Sequence, residues 1–229
     1  MVGIIGALEE EVAMFKHDME IKEVCTIAKC EYVYGILNGQ DVVVTKCGMG
    51  KVNSAACTSI MISKYHPDII FNTGVGGALS PDLKALDIMV ARTVVQHDYD
   101  LMPLGYKRGV VDLFETPYFT CDEKVADAVM ESCKKFGYDA YYSRFATGDR
   151  FINKKRDISS IVKHFDAQVA DMESGSIAQV CTLHGVKFVN IRTISDAGNE
   201  MDFNKFLKFA STHSVIVLED VIENIEKFL

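Results

Sequence analysis

Ile69-Ile70-Phe71 is an unbroken apolar run, closed in front by His66-Pro67 and followed by Thr73-Gly74-Val75-Gly76-Gly77-Ala78. A short apolar run without alternation marks a strand covered on both faces, as in a parallel sheet between layers of helix. Strands of that kind constrain a chain more than any other element, because something must lie on each side of them. Val2–Gly6 and Lys187–Ile194 read the same way.

The segments between them carry helical spacing. Glu9–Asp18 places Val12 and Phe15 together, with acids in the first turn that suit the helix dipole. Lys51–Tyr65 gathers Ala55, Ala56, Ile60 and Met61 on one face and stops at His66-Pro67. Asp122–Phe136, Asp157–His164, Ser174–His184 and Phe203–Phe228 are the further predicted helices. Leu86–Val95, Tyr142–Thr147 and Gln168–Ala170 are predicted strands, and Glu31–Leu37 and Asp41–Lys46 flank Asn38-Gly39, a hairpin signal. Thr73–Ala78 and Gly148–Ile152 read as loops, and 91–117 as a long, partly irregular segment. No repeat, linker or low-complexity tract interrupts this alternation. It predicts an α/β chain folded as one domain over 1–229, with a mixed central sheet.

The net charge of −8 comes without a Lys/Arg cluster, which argues against a nucleic-acid partner. No apolar run approaches the roughly 20 residues of a membrane span. The N-terminal segment has no basic start and runs directly into Glu9-Glu10-Glu11, so it reads as a strand and not a signal peptide. Seven cysteines, an odd number without Cys-x-x-Cys, suggest neither a disulfide framework nor a zinc ribbon, and point to a reducing compartment, the cytoplasm. His97-Asp98-Tyr99-Asp100 is too weak a pattern for a metal site, and no metal or cofactor is expected.

Chemistry is expected where strands end. Three segments put carboxylates there: Gly6-Ala7-Leu8-Glu9-Glu10-Glu11, Ala170-Asp171-Met172-Glu173-Ser174-Gly175 and Arg192-Thr193-Ile194-Ser195-Asp196. Charge compensation at a helix start explains an acid in the first of them without any further task. Acid pairs can also flank a glycosidic bond, and a carboxylate can fork across two vicinal hydroxyls. The glycine-rich turns Cys47-Gly48-Met49-Gly50-Lys51 and Thr73–Gly77 match neither a Walker A loop nor the dinucleotide spacing, and read as tight strand connections.

Taken in order, Gly3–Val12, Gly48-Met-Gly-Lys-Val52, Asn72-Thr-Gly-Val-Gly-Gly77, His97-Asp98, Gly148-Asp-Arg-Phe-Ile-Asn153, Asp171-Met-Glu173 and Arg192-Thr-Ile-Ser-Asp196 span essentially the whole chain. In that order they resemble the nucleoside phosphorylase/nucleosidase superfamily, and within it the 5′-methylthioadenosine/S-adenosylhomocysteine nucleosidases. The resemblance implies a nucleoside phosphorylase-like fold, a three-layer α/β/α sandwich with a central mixed sheet. It implies hydrolysis of the N-glycosidic bond of 5′-methylthioadenosine, S-adenosylhomocysteine and 5′-deoxyadenosine by a homodimer. Asp196 is then the acid on adenine N7, Glu11 the base for water, and Glu173 the grip on the ribose hydroxyls. Met172 packs on the ribose, Phe151 stacks on adenine and the backbone of Ile152 pairs with the base edge. Gly77 and Ser195 contact the substrate. Leu8, Met49, Leu101, Leu104, Tyr106 and Phe203 match the apolar pocket for the 5′ substituent, which a neighbouring subunit helps to close. Val75 stands where many members have serine, Asp171 where they have glutamate, and Leu8 where methionine is common.

Two relatives of this chemistry remain alternatives: a purine nucleoside phosphorylase, and a hydrolase of another nucleoside such as aminodeoxyfutalosine. Phosphorylases carry a basic residue in the first strand-to-helix loop, where Glu9-Glu10-Glu11 would instead repel phosphate.

Overall fold

The computed structural model describes the backbone of residues 1–196 and 200–229, and the side chains of these residues apart from 196, 200–206 and 208. The chain opens with β1 (Val2–Gly6) and α1 (Glu9–Asp18), then three successive strands, β2 (Glu20–Ile27), β3 (Cys30–Leu37) and β4 (Gln40–Lys46). Helix α2 (Lys51–Tyr65) leads to β5 (Ile69–Ala78), β6 (Ile88–Gln96) and the short β7 (Tyr118–Thr120). The second half runs α3 (Glu123–Lys135), β8 (Ala140–Thr147), α4 (Lys155–Phe165), β9 (Val169–Asp171), α5 (Ser174–His184), β10 (Lys187–Asp196) and α6 (Glu200–Glu223).

Among the described residues, all ten strands join one mixed sheet in the order β10-β6-β8-β9-β5-β1-β4-β3-β2, with β7 beside β6. β10 also pairs with β5 in parallel, so the sheet curls back on itself at that end. Both faces are covered. Val2 and Ile4 point into a core with Val12 and Phe15 of α1, Val125 and Val129 of α3, and Val217 and Leu218 of α6. Ile5 points the other way, into a core with Met61 of α2 and Ile177 and Cys181 of α5. A third cluster seats Ile161 and Phe165 of α4 against Val95 and Ala146. The unbroken apolar runs are thus strands buried on both sides, and the three-layer arrangement is the one expected.

Three departures from the sequence reading have local causes. The predicted loop at Thr73–Ala78 is strand: it is the second half of β5, paired to β10 from Thr73 to Gly77 and to β9 at Gly77 and Ala78. Its glycines accommodate crowding. A Cβ on Gly74, whose φ is +151°, would fall on the Glu11 carboxylate and the Arg192 guanidinium, and one on Gly76 would come within 2.6 Å of Val169. β2 carries no predictive signal because its first five residues are exposed, Ile21 and Val24 among them. Its two-residue turn to β3 uses Ala28 and Lys29 at φ 50° and 64°, a left-handed pair that the sequence does not advertise. The Asn38-Gly39 turn has the same geometry, φ 49° and 80°, with the residues that favour it. Within 91–117, β6 continues to Gln96 and a short 3₁₀ turn covers Met102–Leu104.

Among the described residues, no helix is long and apolar enough to cross a membrane, no cluster of side chains could hold a metal ion, and all seven cysteines are free.

Candidate active site

The carboxyl ends of β1, β5, β9 and β10 converge on a half-open cavity lined by Ala7, Leu8, Glu11, Met49, Val75, Gly76, Gly77, Arg150, Phe151, Ile152, Ala170, Asp171, Met172, Glu173 and Ser195. Its wall mixes apolar side chains with a few buried carboxylates, the lining of a small-molecule site.

The three N-terminal acids part company here. Glu9 is half exposed and pairs with Lys16 and Lys46, and Glu10 is exposed. Glu11, third residue of α1, turns inward and is 3 % exposed. Its Oε2 accepts the N–H groups of Ala7 at 2.6 Å and Leu8 at 2.9 Å, and its Oε1 accepts the N–H of Val75 at 3.0 Å. It therefore ties the start of α1 to β5 across the floor of the cavity. Burial pushes its proton affinity up, against the pull of Arg192 and of the three N–H donors.

Glu173 stands at the N-cap of α5, 5 % exposed. Its Oε1 accepts the Gly50 N–H at 3.0 Å, and its Oε2 lies 3.3 Å from Arg192 Nη2. Burial raises it too; the Arg192 charge opposes that shift, and Asp171 reinforces it.

Arg192 is the largest fully buried side chain among the described residues. Its guanidinium donates to Asp171 Oδ2 (3.2 Å), the Thr73 carbonyl (2.9 Å), Asn72 Oδ1 (2.8 Å) and Glu173. Asp171 is in turn held by Thr147 Oγ1 at 2.6 Å and Asn190 Nδ2 at 3.4 Å. One cation thus stands among three buried carboxylates, Asp171, Glu173 and Glu11, so the site carries negative charge and favours holding a proton. Sequence reading quoted Arg192 within a motif but gave it no task. A charged residue in an apolar strand is the signal that could have found it.

Most sequence-predicted residues meet here: Leu8, Glu11, Met49, Gly77, Phe151, Ile152, Met172, Glu173 and Ser195 all line the cavity. Leu101, Leu104 and Tyr106 do not. They sit on and beside the 3₁₀ turn, Leu104 at 73 % exposure, and the Tyr106 hydroxyl donates to Asp112 at 2.9 Å. In this chain they lie outside the cavity wall. Asp196 ends β10 with its backbone in register with Gly77; its side chain, like that of Phe203, lies outside the described residues.

A mixed α/β sheet covered on both faces, with an acidic cavity at its strand ends, places the molecule among the nucleoside phosphorylase-like proteins. The sequence model of the phosphorylase superfamily matches residues 1–223. The chain is 36% identical to the 5′-methylthioadenosine/S-adenosylhomocysteine nucleosidase of Geobacillus sp. (strain WCH70), with 99% of each covered. The crystal structure of the corresponding nucleosidase of Neisseria meningitidis, in complex with methylthio-immucillin-A, superimposes with a TM-score of 0.93 at 30% identity, covering 97% of this chain and 98% of that one. The futalosine hydrolase of Helicobacter pylori gives 0.92 at 27% identity, with 97% of each covered. The chain belongs to the phosphorylase superfamily and, within it, to the 5′-methylthioadenosine/S-adenosylhomocysteine nucleosidase family.

Proposed function

We propose that this chain hydrolyses the N-glycosidic bond of 5′-methylthioadenosine and S-adenosylhomocysteine, and of 5′-deoxyadenosine, releasing adenine. The observation that carries the reading is the pair of buried carboxylates, Glu11 and Glu173, both raised by burial and both drawn toward Arg192 at the floor of one cavity. Glu11 takes a proton from water as its oxygen bonds to C1′. The bond from C1′ to adenine breaks, and Asp196 protonates N7 so that the base leaves neutral. A carboxylate with raised proton affinity is the better general base near neutral pH. Glu173 accepts from the ribose hydroxyls, and its charge favours a cation-like sugar in the transition state. Phe151 stacks on the base, Ile152 pairs with its edge through the backbone, and Met172 packs on the ribose. Gly77 and Ser195 complete the contacts, with Leu8, Met49 and Phe203 around the 5′ substituent.

Water is favoured over phosphate on charge. Arg192 is fully engaged by Asp171, Glu173, Asn72 and Thr73, and Arg150 pairs with Asp157 at 2.9 Å, so a phosphate would meet carboxylates before a free cation. A homodimer fits the exposed apolar residues on one turn, Met102 and Leu104 with Tyr106 beside them: in a second copy, the turn that carries Leu101, Leu104 and Tyr106 covers the 5′ end of the cavity. The seven free thiols support a reducing compartment, the cytoplasm.

The test is adenine release from 5′-methylthioadenosine, S-adenosylhomocysteine, 5′-deoxyadenosine, adenosine and aminodeoxyfutalosine, with and without phosphate. Release without phosphate, fastest on the two thio-substituted nucleosides, is expected. A requirement for phosphate with formation of a ribose 1-phosphate would overturn hydrolysis, and preference for aminodeoxyfutalosine would overturn the substrate.

A further inference from the structure

Helix α2 begins without a cap of its own. Its N-cap is Gly50, at φ 96°, and its first turn holds no acid. The N–H groups exposed at such an end need acceptors, and two are supplied from other strand ends. Glu173 accepts the Gly50 N–H at 3.0 Å, and Asp149 Oδ1 accepts the Lys51 N–H at 2.8 Å.

Asp149 is itself held. Its own N–H donates to Asp98 Oδ2 at 2.9 Å, and Asp98 Oδ1 receives the Lys51 ammonium at 2.6 Å. Lys51, Asp98 and Asp149 therefore close a circuit between the turns that follow β4, β6 and β8. The Lys51–Asp98 pair is mostly shielded, at 18% and 25% side-chain exposure, so solvent screens it less than an open surface ion pair. The fit around it is close. A Cβ on Gly50 would stand 3.1 Å from Asp149 Oδ1, and one on Gly148 would overlap the His97 ring.

None of these three residues lines the cavity, yet Lys51 and Asp149 stand next to turns that do. Met49 and Gly50, which binds Glu173, precede Lys51; Phe151 and Ile152 follow Asp149. We infer that Asp149 is a positioning residue, clamping the turn that meets the base to the turn that meets the ribose, with Asp98 and Lys51 holding it in place. This rests on the nucleosidase reading for what the two turns bind. The clamp itself rests only on the circuit of hydrogen bonds.

The experiment compares Asp149→Ala, Asp149→Asn, Asp98→Ala and the Asp98→Ala/Asp149→Ala double variant. A misplacement of about 1 Å can cost about 100-fold, and a loosened turn shifts its contacts by less than that. Asp149→Ala is expected to lower kcat/KM for 5′-methylthioadenosine by about tenfold through KM. It should also speed amide hydrogen exchange in 49–51 and 151–153 together. Asp149→Asn keeps an oxygen for the Lys51 N–H and should restore both readouts. The double variant should be little worse than Asp149→Ala, because both changes open the same circuit. Unchanged KM and exchange in Asp149→Ala, or an Asn variant as impaired as the Ala one, would overturn the inference. A wild-type protein that releases no adenine would overturn the nucleosidase reading instead, and exchange in the two turns would then decide the clamp alone.

Discussion

Arg192 and Glu173 form an ion pair of 3.3 Å in which both side chains are buried, and the same guanidinium also holds Asp171 at 3.2 Å. A buried cation with this many partners serves more than one carboxylate at once. Arg192→Met should leave Asp171, Glu173 and Glu11 facing one another without a counter-charge. Breaking a buried pair from one side costs about 3–5 kcal/mol, so urea unfolding should show a loss of that size together with loss of adenine release. Arg192→Lys keeps the charge and loses the fork, so stability should recover more than turnover does.

Gly74 lies where Glu11 and Arg192 approach the β5 backbone. Gly74→Ala would put a methyl group onto both of their charged ends, at a φ of +151° that L side chains rarely adopt. The carboxylate must then leave the Val75 N–H or the guanidinium must leave Thr73. A displacement of about 1 Å near reacting groups can cost 100-fold, and adenine release should fall by about that factor. A variant as active as the wild type would mean that Glu11 need not stand where it does.

The same crowding shows what could be seen in the sequence. The layers, the helices and the strand-end acids were legible because strands covered on both faces leave unbroken apolar runs, and because Glu11, Glu173 and Asp196 follow such runs. The role of Gly74 was not. A glycine that makes room for a carboxylate 63 residues away in the chain looks like one that makes a turn (residue 74 minus residue 11). Strand β2 was hidden for the opposite reason: its exposed face and its Ala28-Lys29 turn follow no favoured pattern. Leu101, Leu104 and Tyr106 could be matched to a pocket by resemblance, but they lie outside the cavity wall of their own chain, and only in the proposed dimer would they cover that pocket.

That covering is testable through Leu104, which is 73 % exposed. If its turn closes the cavity of a second copy, Leu104→Asp places a charge in an apolar contact. Sedimentation should show a shift from dimer to monomer, and KM for 5′-methylthioadenosine should rise with it. A variant that stays dimeric with an unchanged KM would remove this turn from the 5′ pocket.

Burial raises Glu173 from an ordinary carboxylate value of 4.5, and this fixes the sign of a stability effect. Below 4.5 the group is protonated both folded and unfolded, and its contribution is fully present. As pH rises the unfolded chain releases the proton first, while the folded chain still holds it. The contribution is therefore lost progressively from 4.5 upward, through the raised folded value. The ligand-free protein should lose thermal stability over that window, by more than Glu173→Gln does, since the amide has no proton to hold. Glu11 shifts in the same direction and for the same first cause, so Glu11→Gln should flatten the profile as well. Calorimetric melting of the three proteins across the acid-to-neutral range checks this; parallel profiles would mean that neither carboxyl keeps its proton in the folded site. Glu11→Gln carries a second consequence for turnover. An amide cannot take the proton of water, and loss of a general base typically costs about 100- to 10,000-fold. Adenine release should fall into that range while adenine binding, followed by calorimetry, is retained.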